Sequence, residues 1–225
     1  MQESTKMLDY TFDAAFCDRF GIVCGTDEAG RGPLAGPVVA AAVVLPDGLV
    51  IDGLDDSKKL TEKKREKLFD IIISEAVAFG ISEATAEEID KYNILNASLL
   101  AMRRAVAEVK KTVTPDVVLI DGNRQTDFGL PSFTVVKGDS ISQSIAAASV
   151  LAKVTRDRYM ELLNEKYPQY GFKKHKGYPT KDHMLAVYEH GPSDIHRKSF
   201  LSFLERDHDK LEAMLAEKKA KEQNG

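Results

Sequence analysis

Residues 21–26, Gly-Ile-Val-Cys-Gly-Thr, form a short apolar and β-branched run that ends on Asp27 and Glu28 and passes at once into Ala29-Gly30-Arg31-Gly32-Pro33. The run has the length and composition of a buried strand, which carries Asp27 to a strand end. Successive side chains of an extended strand point to opposite faces, so Asp27 and Glu28 can share a cation only where the chain turns or bulges. Gly30 and Gly32 permit such a turn. Taken alone, the acid pair is also compatible with a solvated loop.

The remaining pattern places more elements around that strand. Residues 38–45 read as a second strand, closed by Pro46-Asp47-Gly48 and able to pair with the first as a hairpin. Thr61 caps a predicted helix to about Glu75, with Leu68, Phe69, Ile72 and Ile73 as its buried stripe. Residues 77–81 fit a third strand, residues 87–111 a helix interrupted near Tyr92-Asn93, and residues 117–120 a fully buried strand ending at Asp121-Gly122. A last strand spans 132–136, and Ser140-Ile141-Ser142-Gln143 has the form of a capping box that opens a long helix closed by Tyr167-Pro168. A short helix over 181–188 and a terminal helix over 200–219 complete the chain, while Leu8, Phe12, Ala15 and Phe16 predict a short N-terminal helix docked on the body.

Carboxylates thus stand at three element ends: Asp27 with Glu28, Asp121 after the buried strand, and Asp139 just before the long helix. Each has an ordinary explanation alone, since Asp-Gly is a turn dipeptide and an acid favours a helix N-terminus. Together, with no histidine pair or cysteine set beside them, the four acids describe an all-oxygen site suited to Mg²⁺ or Mn²⁺.

Composition narrows the class. The chain of 225 residues, 43% hydrophobic, is long enough for one large domain with a real core. No stretch has the length of a membrane span and the N-terminus lacks a secretory pattern, so a cytoplasmic location with reduced Cys17 and Cys24 is expected. The net charge of −4 weighs against a general nucleic-acid binder, yet Lys173, Lys174, Lys176 and Lys181 fall in a stretch without an acid until Asp182. His175 and His183 share that basic stretch and are expected at the surface, outside the catalytic set.

The segment Gly25-Thr26-Asp27-Glu28-Ala29-Gly30-Arg31-Gly32-Pro33-Leu34-Ala35-Gly36-Pro37-Val38 resembles the first block of bacterial ribonuclease HII, the type 2 ribonuclease H. Asp56-Ser57-Lys58-Lys59-Leu60, Leu119-Ile120-Asp121-Gly122, Lys137-Gly138-Asp139 with the following Ser144 to Ser149, and His175-Lys176-Gly177-Tyr178-Pro179-Thr180 resemble further blocks in the same order. His190-Gly191-Pro192-Ser193 continues into Ile195-His196-Arg197, with Asp194 where the family more often carries another residue.

The resemblance implies an α/β ribonuclease H-like fold, a mixed central sheet flanked by helices with a small helical C-terminal extension. It implies that Asp27, Glu28, Asp121 and Asp139 are the catalytic and metal-holding acids, with two Mg²⁺ or Mn²⁺ ions when substrate is bound. Gly30, Arg31 and Gly32 are carried over as the reader of the ribose 2′-hydroxyl and Tyr178 as the ring on the adjoining deoxyribose, while Lys58, Lys173, Lys174 and Lys176, read from the basic stretches and not from the resemblance, are expected as further substrate contacts. The implied activity is cleavage of RNA–DNA hybrids and of duplex DNA 5′ to single embedded ribonucleotides, leaving 5′-phosphate and 3′-hydroxyl ends. A monomer is expected, divided into an N-terminal extension over 1–19, a catalytic domain over 20–192 and a helical segment with a charged tail over 193–225. No recruiting partner, a replication clamp included, is legible in these residues. Two competing readings are a strand transferase or junction resolvase of similar fold, and a non-catalytic nucleic-acid-binding module; the first has no need of the glycine and tyrosine loops, and the clustered acids of the second would repel phosphate.

Overall fold

The strand Val38–Val44 is buried along its whole length, and its alternating side chains go to two different cores. Val38, Ala40, Ala42 and Val44 face one layer of helix, whereas Ala41 and Val43 face the other. A strand sealed on both faces has to lie inside a sheet sandwiched by helices. The computed structural model describes Leu8 and residues 10–223, and in it this strand is β2 of a five-stranded sheet ordered β3-β2-β1-β4-β5. The strands are β1 (Val23–Ala29), β2, β3 (Ala78–Ala84), β4 (Val117–Asp121) and β5 (Ser132–Val135). β1 to β3 form an antiparallel meander, and β4 and β5 extend it in parallel from β1. The sheet is mixed and carries helices on both faces.

The helices are α1 (Thr11–Phe20), α2 (Glu62–Glu75), α3 (Ala86–Val109), α4 (Gln143–Lys166), α5 (Phe172–His175), α6 (Lys181–His190), α7 (Phe203–Arg206) and α8 (His208–Gln223). α3 covers one face through Ala97, Ala101 and Ala105, and α4 covers the other through Ala146, Ala147, Ala148 and Leu151. Small residues let α4 approach closely. A Cβ built on Gly25 of β1 would lie 2.3 Å from the Ser144 carbonyl carbon and 2.4 Å from the Ile145 nitrogen, so only glycine fits under the first turn of that helix. Gly25→Ala should cost stability at the upper end of the about 1–3 kcal/mol of overpacked cores, because backbone rather than a side chain must move. A denaturant midpoint within error of the parent protein would contradict that packing.

The far half of α4 leaves the sheet and builds a second core with the C-terminal helices, in which Met160 and Leu163 meet Phe172, Leu185, Val187 and Phe203.

Several local expectations change. Ile73 is exposed and drops out of the α2 stripe. Ser142, not Ser140, caps α4 by accepting from Ile145 N, because a 3₁₀ turn over Gly138–Ser140 comes first. The N-terminal stripe is Phe12, Phe16 and Phe20, whose last two rings pack on Phe133; Ala15 is exposed and Leu8 precedes the helix. The predicted terminal helix is broken into a 3₁₀ turn, α7 and α8. The interruption expected near Asn93 is a residue at φ 64° inside α3, where its Oδ1 accepts from Asn96 N.

Candidate active site

Parallel β1 and β4 pair with Thr26 opposite Ile120, which sets Asp27 and Asp121 side by side one residue further along. Strand alternation then puts both carboxylates on the same face of the sheet. Asp139 comes from the 3₁₀ turn ahead of α4, and its backbone N–H donates to Asp121 Oδ1 at 3.4 Å. One oxygen from each of Asp27, Asp121 and Asp139 lies within 4.8 Å of the others.

Glu28 takes a different place. The turn expected after Asp27 does not form, since β1 continues to Ala29 and pairs Glu28 with Ala40. Its backbone N–H donates to Asp27 Oδ1 at 2.7 Å, while its side chain meets Arg31 Nη1 at 3.3 Å. Glu28 therefore flanks the three acids instead of joining them.

The electrostatics are those of a crowded anionic pocket. Burial, then the charges of Glu28 and Asp121, raise Asp27 well above the ordinary carboxylate range. Burial also raises Glu28, with Asp121 adding to the shift and Arg31 and Lys58 opposing it. Asp139 is raised by burial, Asp121 and Asp56, against the pull of Lys58. Lys58 lies 3.4 Å from Asp139; desolvation works against its charge, but Asp139, Asp27 and Asp56 outweigh it and hold its pKa above the usual value. Ser149 bonds Asp27, and its Oγ lies 2.7 Å from that of Ser57, which ties the block at 56–60 to the acids.

The glycine loop beside the acids rests on two buried guanidiniums, Arg156 and Arg197, for which the sequence pattern carries no signal. Arg197 donates to the carbonyls of Gly30 at 2.6 Å, Arg31 at 2.9 Å and Gly36 at 2.9 Å. Arg156 donates to Ala35, Pro37 and Lys176, joining this loop to the one that carries Tyr178. Burial pulls their pKa values down to about 10 for Arg156 and about 9 for Arg197. Gly30 sits at φ +96°, and a Cβ there would come within 2.0 Å of Arg156 Nε. Tyr178 is 41% exposed, and its Cε1 would be 3.7 Å from a Cβ on Gly32. The glycine and tyrosine loops, distant in sequence, form one surface.

The basic stretch is less free than its sequence implies. Lys174 pairs with Asp182 at 3.1 Å and Lys176 with Glu161, and Lys173, second residue of α5, donates its backbone N–H to Asn164 Oδ1. His175 and His183 are buried, not at the surface, because Phe172 turns inward and draws the imidazoles into the C-terminal core.

A family model described as Ribonuclease HII matches residues 24–203. The chain belongs to the ribonuclease HII family. It is 56% identical to the ribonuclease HII of Shewanella sp. (strain MR-7) over 185 residues, covering 80% of this chain and 88% of that one. The crystal structure of ribonuclease H2 from Pyrococcus horikoshii OT3 superposes with a TM-score of 0.68 at 27% identity, covering 85% of this chain and 99% of that one. Bst-RNase HIII in complex with Mn²⁺ shares the fold, with a TM-score of 0.62 at 16% identity, covering 86% of this chain and 70% of that one. The fold is ribonuclease H-like, and this ribonuclease HII chain is an endoribonuclease. No helix among its described residues is long and apolar enough to cross a membrane.

Proposed function

We propose that the chain hydrolyses the RNA strand of RNA–DNA hybrids and cuts duplex DNA 5′ to a single embedded ribonucleotide, leaving 5′-phosphate and 3′-hydroxyl ends. The observation that carries this reading is the convergence of Asp27, Asp121 and Asp139 within 4.8 Å, next to a loop pair that exposes Gly32 and the Tyr178 ring.

The donor set fits a hard divalent cation: carboxylate oxygens only, with Asp27 and Asp139 buried and Asp121 half-buried. Asp27, Asp121 and Asp139 would hold Mg²⁺ or Mn²⁺, two ions with substrate present, and Glu28 would join them by leaving Arg31. Bound there, such ions supply Lewis-acid stabilisation of the phosphoryl oxygens and a more acidic water. The protein's own groups do the rest. The backbone of Gly30 to Gly32, held from behind by Arg197 and Arg156, meets the 2′-hydroxyl, which both donates and accepts. Tyr178 packs on the next sugar and sets the scissile phosphate over the acids. Lys58, at the rim of the acidic pocket, meets a non-bridging phosphate oxygen. Attack of water on phosphorus then displaces the 3′ oxygen.

The reading is tested by cleavage of a labelled hybrid with metal-stripped protein. Activity absent in chelator and restored by Mg²⁺ or Mn²⁺ is the expected result, and undiminished cleavage in chelator would overturn it.

The lysines carry a separate prediction. Lys173→Ala and Lys174→Ala should each flatten the dependence of log K on log salt by about 0.9 if each meets one duplex phosphate. Lys176→Ala should leave the slope unchanged, because its ammonium is largely buried against Glu161, whereas the Lys174–Asp182 pair is solvent-exposed and opens at little cost. Equal slopes for all three variants and the parent would mark the stretch as solvated surface.

A further inference from the structure

Three buried histidines lie behind the tyrosine loop, and the mechanism above uses none of them. His175, His183 and His196 are 8%, 0% and 2% exposed. The rings of His175 and His183 stack at 4.5 Å, Phe172 sets its edge against His183, and Tyr170 packs on His196 at 4.7 Å.

Their hydrogen bonds leave each ring a single tautomer. Ser193 donates to His196 Nδ1 from its backbone N–H at 3.0 Å and from its hydroxyl at 2.8 Å, so that nitrogen is bare and the proton sits on Nε2. His196 Nε2–H then donates to His183 Nε2 at 3.1 Å. The remaining nitrogen of His183, Nδ1–H, donates to the Tyr178 carbonyl at 3.0 Å, an oxygen that also accepts from Thr180 N. On the other side, His175 Nε2–H donates to the Tyr170 carbonyl at 2.8 Å, and its bare Nδ1 accepts from Gly177 N at 3.2 Å. Two imidazoles thus grip the two polar backbone groups that bracket the tyrosine: the Gly177 N–H and the Tyr178 C=O.

We propose that His175, His183 and His196 are positioning residues for Tyr178, a clasp of three neutral imidazoles that fixes the Gly177–Tyr178 backbone so that the ring stands against the sugar beside the scissile phosphate. The proposal rests on the reading of Tyr178 as a sugar contact and adds what holds it there. The clasp works only while uncharged. A proton added to His183 Nε2 would face the N–H of His196, and one added to His175 Nδ1 would face the N–H of Gly177.

The surroundings keep the rings neutral. Burial lowers His183 and His196 to about 4 and also lowers His175. Of the charged groups facing the cluster, Asp182 of α6 and Asp194 of the loop before His196 favour protonation, and Lys174 of α5 opposes it. Asp182 is itself paired with Lys174 at 3.1 Å, and Asp194 accepts from the Tyr167 hydroxyl, so neither acid overrides burial.

Two measurements on the full-length protein decide the matter. The ¹⁵N spectra of the imidazoles should show His183 protonated on Nδ1 and His175 and His196 on Nε2, with His183 and His196 neutral down to about pH 5 and His175 titrating below the ordinary histidine value. Titration of any of them near the ordinary histidine value, or an Nε2–H tautomer at His183, would overturn the clasp. In single-turnover cleavage of a duplex with one ribonucleotide, His183→Leu should lose about tenfold in rate, part of the about hundredfold that a 1 Å misplacement costs. Duplex affinity should stay within about twofold, and His183→Asn, which keeps a donor near the Nδ1 position, should recover most of the rate. Placed on a Tyr178→Ala background, His183→Leu should add no more than about twofold, because its effect passes through the tyrosine. Independent, multiplying losses would show a merely structural role. If His183→Leu does not fold, His183→Asn and the spectra carry the test. Wild-type turnover by Tyr178→Ala alone would strike the sugar-contact reading, whereas a slow Tyr178→Ala with inverted tautomers would strike only the clasp.

Discussion

Asp121→Asn is expected to lower single-turnover cleavage by about three orders of magnitude, the scale of several kcal/mol of transition-state stabilisation, while leaving the fold in place. Asparagine keeps the size of the side chain and an oxygen that can accept from Asp139 N, so the 3₁₀ turn before α4 loses no contact. What it removes is one of three charges within 4.8 Å. That removal weakens the hold on divalent cations and relieves repulsion in the metal-free protein. The metal-free variant should therefore unfold at a higher denaturant midpoint than its parent, even as it loses activity. Near-parental cleavage in Mg²⁺ would show that the three acids are a structural cluster.

Tyr178→Ala carries the second large effect. The ring stands beside Gly32 and 6.0 Å from the Arg156 guanidinium, at the seam between two loops that reach the site from opposite ends of the sequence. Losing it removes the surface that registers the sugar against the acids, and misplacement by about 1 Å costs on the order of a hundredfold in rate. The loss should fall on kcat, because affinity is spread over many backbone contacts to the duplex. The single-ribonucleotide substrate should suffer at least as much as a long hybrid, where several registers are productive. Equal losses in affinity with unchanged chemistry, measured by equilibrium binding and single-turnover cleavage, would contradict the assignment.

Asp27, Asp121 and Asp139 were legible because each follows or precedes a strongly patterned apolar segment, and element ends are what strand and helix periodicity locate best. The relation of Asp27 to Glu28 was not. Glycines at 30 and 32 suggested a turn between the acids, but pairing with β2 keeps the strand extended through Ala29, so alternation sends Glu28 toward Arg31. The cap of α4 was displaced for a related reason: an extra 3₁₀ turn brings Asp139 back against Asp121 before the helix begins at Ser142. The burial of His175 and His183 is not legible from their lysine neighbours, since local charge says nothing about whether a neighbouring aromatic such as Phe172 turns inward. Arg156 and Arg197 lay beyond reach for the same cause. A guanidinium reads as surface until the carbonyls it will saturate are known, and those of Arg197 lie up to 167 residues away in the chain.

Hydrolysis at the acid cluster and recognition of a ribose followed by deoxyribose are separable properties, and one measurement tests both. A duplex with a single ribonucleotide, labelled on either side of it, is digested in Mg²⁺ beside its all-DNA counterpart, and the cut position and end groups are mapped at single-nucleotide resolution. The expected result is one cut, 5′ to the ribonucleotide, a 3′-hydroxyl and a 5′-phosphate, and an intact all-DNA control. Cleavage on the 3′ side of the ribonucleotide, or cleavage of the control at a comparable rate, would contradict it.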